Sequence, residues 1–274
     1  MPLDELNKVY SSFDVVGDLA IIKHNNAQNP EDIAKQILLI QKNVKAVFTP
    51  ATRIAGDFRV RELKLLAGES RTKTTHRESG CTFKVDIEKC YFSPRLSYEH
   101  MRIANLVDPG EVVVNMFAGI GCFSIIIAKK KQQNKVYSID VNPIAFEYMQ
   151  QNVKNNFVYD KVVPLLGDAK DIIESKLHGL ADRVLMPLPE KALEYLPIAL
   201  SALKRSGGFI HFYDFQHVAD TEDPREKTKK KVAEKLSNIG MQYVFVNSRI
   251  IRPTGPNWYQ TVVDIQVDGL PSKF

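Results

Sequence analysis

The sequence predicts an α/β protein: a doubly wound, mostly parallel sheet that ends in an antiparallel hairpin and is preceded by a small α+β lobe. Three observations carry this. Glu111–Ser124, EVVVNMFAGIGCFS, reads as a buried strand, a tight glycine turn and the opening of a helix. A second apolar run, Val136–Ile139, ends in Asp140. Downstream, strand-like and helix-like stretches alternate until two strand-like runs meet across Pro253–Trp258.

The first part of the chain, 1–93, reads as the lobe. Val15–Lys23 alternates and predicts a strand. Pro30-Glu31-Asp32 opens a helix to about Asn43, with Ile33, Ile37 and Ile40 on one stripe. Val44–Thr49, Phe58–Ala67 and Thr82–Phe92 predict further strands, the last two separated by a polar spacer, GESRTKTTHRESG. Arg53, Arg59, Arg61, Lys64, Arg71, Lys73, His76 and Arg77 crowd this lobe. On an alternating strand Arg59 and Arg61 would share a face, either as a solvated surface or as a contact for nucleic-acid phosphates.

The second part, 94–274, begins at Pro94, with Ser97 as candidate cap of a helix to about Val107, stopped by Asp108-Pro109-Gly110. Glu99 and His100 fall at its start, where the helix dipole alone would favour a glutamate. After Asp140 come a helix, Pro143–Asn155, and a third strand, Val162–Leu166, ending in Gly167-Asp168-Ala169. The fourth strand, Arg183–Met186, ends in Pro187-Leu188-Pro189. A helix over Lys191–Leu203 and a strand over Phe209–Tyr213 follow. Pro224–Gly240 is a charged amphipathic helix, and Tyr243–Arg252 and Gln260–Val267 pair as the closing hairpin.

Ligands in such sheets sit beyond the carboxyl ends of the strands, where Gly119, Gly121, Asp140, Asp168 and Pro187 all fall. Glycine tolerates positive φ and lets a ligand approach the backbone. A carboxylate closing the second strand can take a ribose diol. Asp168 can accept from an adenine amino group or merely cap the next helix. The turn has no Gly-Lys-Ser/Thr, so a nucleoside without phosphates fits better than a triphosphate, and S-adenosylmethionine is the commonest such cofactor.

Composition sets the frame. The chain has 274 residues, 44% hydrophobic and 25% charged, with a net charge of +5 that suits a polyanionic partner without requiring one. Neither a secretory leader pattern nor a bilayer-length apolar run is present, so a cytoplasmic protein without a membrane partner is expected. Cys81, Cys90 and Cys122 are odd in number and lack C-x-x-C spacing, and the histidines pair with no second ligand type. Reduced, buried cysteines and no metal site are expected.

Together the segments KVDIEKCYFSPRLSYEHMRI, VVVNMFAGIGCFSI, YSIDVNP, LGDA, DRVLMPLPEKALEYL and GGFIHFYDF resemble the Rossmann-type class I S-adenosylmethionine methyltransferases. Within these they resemble the archaeal and eukaryotic tRNA (guanine-37) N1-methyltransferases. The resemblance implies methyl transfer from S-adenosyl-L-methionine to guanosine 37 in the tRNA anticodon stem-loop, by a monomer. It implies Glu99 as general base on the guanine N1 proton, with Arg95 and either Arg59 or Arg61 holding the flipped base. It implies His100, Phe117, Asp140, Val141, Asp168 and Ala169 as cofactor contacts, which join Gly119, Gly121 and Pro187 at the strand ends in the expected cofactor site.

One segment departs from the pattern. The family usually has Asn-Leu-Pro or Asn-Pro-Pro where this chain has Pro187-Leu188-Pro189. Proline there is associated with an archaeal branch that methylates C7 of the tricyclic 4-demethylwyosine, so dual activity is an expectation. Two alternatives stand beside it: aminocarboxypropyl transfer, which usually goes with Ser-x-Gly-Asn in place of Ser93-Pro94-Arg95-Leu96, and a non-catalytic RNA binder with a vestigial pocket.

Overall fold

The computed structural model describes residues 13–22, 29–52, 56, 58–131, 133–219 and 221–270. A seven-stranded sheet organises the carboxyl-terminal part, in the order β12-β13-β11-β10-β7-β8-β9. Its parallel strands are β7 (Val112–Asn115), β8 (Lys135–Asp140), β9 (Val162–Leu166), β10 (Arg183–Met186) and β11 (Gly207–His217). β12 (Tyr243–Gly255) and β13 (Trp258–Asp268) add the antiparallel end, with β13 against β11. Strand alternation divides the core into two layers. Val113 and Leu185 join one apolar cluster; Val114, Val184 and Met186 join the other.

Before the sheet lie a four-stranded sheet, β1 (Asp14–Val16), β2 (Leu19–Ile21), β3 (Ala46–Pro50) and β4 (Leu63–Gly68), and a two-stranded ribbon, β5 (Lys73–Glu78) and β6 (Cys81–Asp86). Helix α1 (Pro30–Ile40) covers β3 and β4. Helices α2 (Ser97–Leu106), α3 (Cys122–Lys130), α4 (Pro143–Asn155), α5 (Ala169–Ile172), α6 (Pro189–Ala202) and α7 (Pro224–Ile239) follow in order, α5 running on as a π-helical turn.

Helix α3 is buried continuously from Cys122 to Ala128. A helix without a polar face needs apolar partners all round, and α3 has them in β8 and β9, in α2 and in the inner side of the ribbon. The ribbon is fixed by an unusual device. Asn152 and Asn156, one turn apart on α4, bond the free edge of β6. Asn152 Oδ1 accepts from Lys84 N (2.7 Å) and its Nδ2 donates to Lys84 O (3.0 Å). Asn156 does the same with Thr82 (2.9 and 2.7 Å). Two side-chain amides thus stand in for the next strand.

Several local expectations are corrected. Val15–Lys23 is two strands broken by a turn at Gly17-Asp18, with Lys23 outside the described residues. Arg53 and His24 also lie outside them. The polar spacer is strand β5; its alternate side chains Lys73, Thr75 and Arg77 are exposed, while His76 and Glu78 turn inward. The strand expected from Phe58 begins at Leu63, because Arg59 sits in a turn at φ 53°. Ser97 is the first residue of α2, and Leu96, not Ser97, holds the N-cap position. The hairpin loop is tighter than expected: β12 continues to Gly255, and Asn257 takes the positive φ of the turn.

Candidate active site

The cavity opens where β7 and β8 end. Gly121 caps α3 at φ 95° and Gly119 turns at φ 56°, both in left-handed backbone that L side chains avoid. The turn brings Gly119 N–H onto Asp140 Oδ2 at 2.6 Å, while Asp140 Oδ1 accepts from Asn142 N at 2.9 Å. Burial pushes the Asp140 carboxyl up, partly opposed by these two amides. Each oxygen keeps one lone-pair direction for a ligand donor.

Opposite stands Asp168. One oxygen caps α5 through Lys170 N (2.7 Å) and the other accepts from Tyr195 Oη (2.7 Å). Capping and ligand-facing roles are therefore compatible in the same carboxylate. Tyr195 meets Phe117 edge to face, with ring centroids 5.4 Å apart. Met116, Phe117, Val141, Ala169, Pro187 and Leu188 supply the apolar walls. The cavity continues past Phe117, Gly119 and Pro187 into a second compartment lined by Ser93, Leu96, His100 and Cys122.

Arg59 closes the mouth of the first compartment. Its guanidinium lies 4.6 Å from the Tyr91 ring centroid and pairs with Glu190 at 2.9 Å. A non-glycine residue at positive φ beside a cavity is a strained position, of the kind that clusters at ligand clamps. Arg61 instead lines a neighbouring concavity with Lys89, Pro143 and Ile144. Of the two arginines weighed from sequence, Arg59 is the one at the cavity.

The other two expected catalytic residues do not line it. Arg95 is half exposed and pairs with Asp14 at 2.5 Å, tying β1 to the turn before α2. Glu99 is 1% exposed, beneath Arg249, and its oxygens are held by Arg102 Nε (2.9 Å), Arg102 Nη2 (2.7 Å) and Tyr213 Oη (2.8 Å). The same Arg102 reaches Asp264 with Nη1 and Nη2, at 2.5 and 3.1 Å. Burial opposes ionisation of Asp264, but His211 and Arg102 hold it well below the usual carboxylate range. Glu99 thus belongs to a buried ionic chain, adjacent in sequence to a residue that does face the cavity.

His100 is that residue. Its Nδ1 lies 2.9 Å from Glu78 Oε1, and its ring packs edge to face on Phe123 at 4.5 Å. Glu78, His100 and Cys122 offer donor atoms within 4.8 Å of one another, a meeting that sequence spacing did not predict. The three cysteines are free and buried, and burial pushes the Cys90 thiol up to about 12.

Sequence reasoning gave no role to Tyr91, Tyr195 or Arg252. Tyr91 lies inside a quoted motif and could have been picked out. Arg252 could not: it comes from β12 to donate to Ser93 Oγ at 2.9 Å and approach Tyr91 Oη at 3.4 Å.

Comparison with known proteins agrees with this geometry. The TRM5/TYW2 methyltransferase domain model matches residues 74–240, and the TYW2 N-terminal domain model matches residues 1–72. The chain is 40% identical over 259 residues to tRNA (guanine(37)-N(1))-methyltransferase Trm5b of Pyrococcus abyssi, covering 94% of this chain and 75% of that one. The crystal structure of that Trm5b matches with a TM-score of 0.83 at 38% identity, over 98% of this chain and 78% of the other. It is 37% identical over 270 residues to tRNA 4-demethylwyosine(37)-methyltransferase Taw21 of Saccharolobus solfataricus, covering 97% of each. A crystal structure of M. jannaschii TYW2 in complex with AdoMet matches at TM-score 0.71 and 27% identity, over 94% of this chain and all of that one (100%). The glycine turn, the two carboxylates at the strand ends and these matches along the whole chain place it in one family: the protein belongs to the TRM5/TYW2 methyltransferases.

Proposed function

We propose that this protein transfers a methyl group from S-adenosyl-L-methionine to the base at position 37 of tRNA, at N1 of guanosine and at C7 of 4-demethylwyosine. The observation that carries this reading is the pairing of a nucleoside seat, Asp140 with Gly119, with an arginine–aromatic clamp, Arg59 on Tyr91, at the mouth of the same cavity. The cofactor fits the residues present. Asp140 would hold the ribose, Val141, Asp168 and Ala169 the adenine, and the second compartment the amino-acid end. When bound, the cofactor supplies an electrophilic methyl carbon on a sulfonium, and the protein's task is alignment.

Arg59 would stack on the flipped base and meet charge developing on its carbonyl oxygen. Flipping from a single-stranded loop costs less than from a duplex. Arg95 would join it only by leaving Asp14. Glu99 is proposed as the base that takes the N1 proton, a role that requires Arg249 to move aside when the base enters, since Glu99 lies beneath it and does not line the cavity. Arg102 helps here: it already gives two N–H groups to Asp264, so a proton arriving on Glu99 leaves Arg102 paired, while Arg249 loses its 3.7 Å contact with Glu99 and retains the Tyr98 ring as a partner. The wall at Pro187-Leu188 offers no side-chain hydrogen-bond donor, which favours a wide, flat tricyclic base beside guanine. The near full-length match to Taw21 supports the same reading.

The lobe, taken as residues 1–93, would carry the RNA. Lys73 and Arg77 of β5 and Lys84 of β6 stand on the outer face of the ribbon, over a groove of about 1020 Å³ that Tyr148 and Gln151 of α4 close from the other side. None of these three cations has an ion pair among the described residues, so they are free to meet phosphates. Among the described residues no helix is long and apolar enough to cross a membrane. The proposal includes a monomer working in the cytoplasm.

The test is mass spectrometry of anticodon-loop nucleosides after incubating purified protein and S-adenosylmethionine with tRNA carrying guanosine 37 or 4-demethylwyosine 37. Addition of one methyl to either base supports the reading. Addition of an aminocarboxypropyl group would replace it with the related transferase activity, and an unmodified loop in both tRNAs would leave only RNA binding.

A further inference from the structure

The second compartment has a chemical problem to solve. The cofactor's amino-acid end carries a carboxylate, and its seat must balance that charge away from water. Among the described residues lining this compartment, His100 alone can become cationic; the rest are apolar or neutral, such as Phe92, Leu96, Ile120 and Phe123. Its ring is 4% exposed, so the orientation in which it can meet that carboxylate is set by its buried neighbours.

Directly behind it stands Glu78, the last residue of β5 and 8% exposed. Its Oε1 meets His100 Nδ1 at 2.9 Å, and among the described residues its Oε2 has no hydrogen-bond partner. Oε2 points toward His76 Nε2 at 3.9 Å, and His76 Nδ1 accepts from Gly17 N–H. Burial alone would raise the Glu78 carboxyl, but the two imidazoles bring it below its ordinary value, so it stays ionised. The groups facing His100 are Glu78 from β5, the Cys122 thiol at the start of α3 and the Phe123 ring; burial raises the thiol far above its usual range, so it brings no charge.

We infer that Glu78 is a positioning residue for cofactor binding: it fixes the His100 ring through Nδ1 and supplies the counter-charge that lets His100 seat the carboxylate of the cofactor. The pairing is a carboxylate–imidazole dyad placed behind the ligand, with the ribbon strand β5 bracing helix α2. Its consequence is selective. The dyad acts on ligands that carry the amino-acid end and is indifferent to the adenosine.

The experiment needs no RNA, so it stands apart from the identity of the target base. Calorimetry on the full chain compares S-adenosylhomocysteine with 5′-methylthioadenosine, which shares the nucleoside and lacks the carboxylate. Glu78→Gln should weaken S-adenosylhomocysteine about tenfold or more, the scale of a hydrogen bond between charged groups, and leave methylthioadenosine unchanged. Glu78→Asp should restore part of the loss. Should Glu78→Gln fail to fold, His100→Gln is titrated in its place, and an unaltered preference for S-adenosylhomocysteine over methylthioadenosine there overturns the inference. So does an equal loss of both ligands in Glu78→Gln. Abolition of S-adenosylhomocysteine binding by EDTA would make Glu78, His100 and Cys122 a metal site instead.

Discussion

Replacing Asp140 by alanine is expected to weaken S-adenosylhomocysteine binding about 100-fold. Each carboxylate oxygen already accepts one turn amide, from Gly119 at 2.6 Å and Asn142 at 2.9 Å. That leaves one acceptor direction per oxygen, enough for the two hydroxyls of a ribose. Hydrogen bonds to a charged group are worth about 1.5–3 kcal/mol each. The two are not additive, and water entering the gap recovers part, so about 3 kcal/mol is the expected loss, or about 100-fold in Kd. The assay is calorimetric titration, with the thermal midpoint followed to confirm folding. A Kd within about threefold of the unmodified protein would refute the ribose assignment. The pH arm has a definite sign. The ionised carboxylate is the acceptor and burial raises its pKa, so affinity should fall with falling pH at a point above the ordinary aspartate value of about 3.9. Asp140→Asn should lack that step. For stability the sign reverses: the folded chain holds this proton more tightly than the unfolded one, so the group's contribution declines as pH rises from the ordinary to the raised pKa.

Three more outcomes are expected. Arg59→Lys keeps the charge but loses the planar stack on Tyr91, and should cut kcat/KM for tRNA about tenfold with cofactor Kd unchanged, measured by single-turnover methylation. Glu99→Gln should lower kcat on guanosine-37 tRNA by at least about 100-fold while leaving cofactor KM intact; unchanged turnover would assign Glu99 to the buried ionic chain alone. Asn152→Ala strips partners from the backbone of Lys84 and from Ile120 O, and should cost about 2–4 kcal/mol in urea unfolding, since buried groups left unpaired cost about 1–3 kcal/mol each.

The local chemistry of the site was legible in the sequence. Gly119 and Gly121 announce a turn through their backbone freedom, Asp140 follows an apolar run that ends where a strand must end, and Asp168 repeats the arrangement one strand later. The parallel strands were found because their apolar runs are continuous, as strands covered on both faces require. Strand β5 was not, because KTTHRE carries no apolar alternation: its outer face meets solvent and its inner face holds His76 and Glu78 in a polar contact. Propensity was equally silent on Arg59, whose positive φ goes with a backbone bond to Gly56 O and a guanidinium stacked on a ring 32 residues away.

The sequence by itself determined the doubly wound sheet, the glycine turn and acids that line the cavity at its strand ends, and the family, because strand period, turn glycines and strand-end acids are written over a few adjacent residues. Only the tertiary structure decided which charges are spent within the fold and which are free. Arg71 is taken up by Asp18 and Glu69, Arg95 by Asp14 and Glu99 by Arg102, while Lys73, Arg77 and Lys84 have no ion pair among the described residues and Glu78 finds His100. Charge pairing depends on separations of a few ångströms between groups up to 162 residues apart in the chain, as with Arg102 and Asp264. No local pattern encodes such distances; packing of the sheet, ribbon and helices sets them.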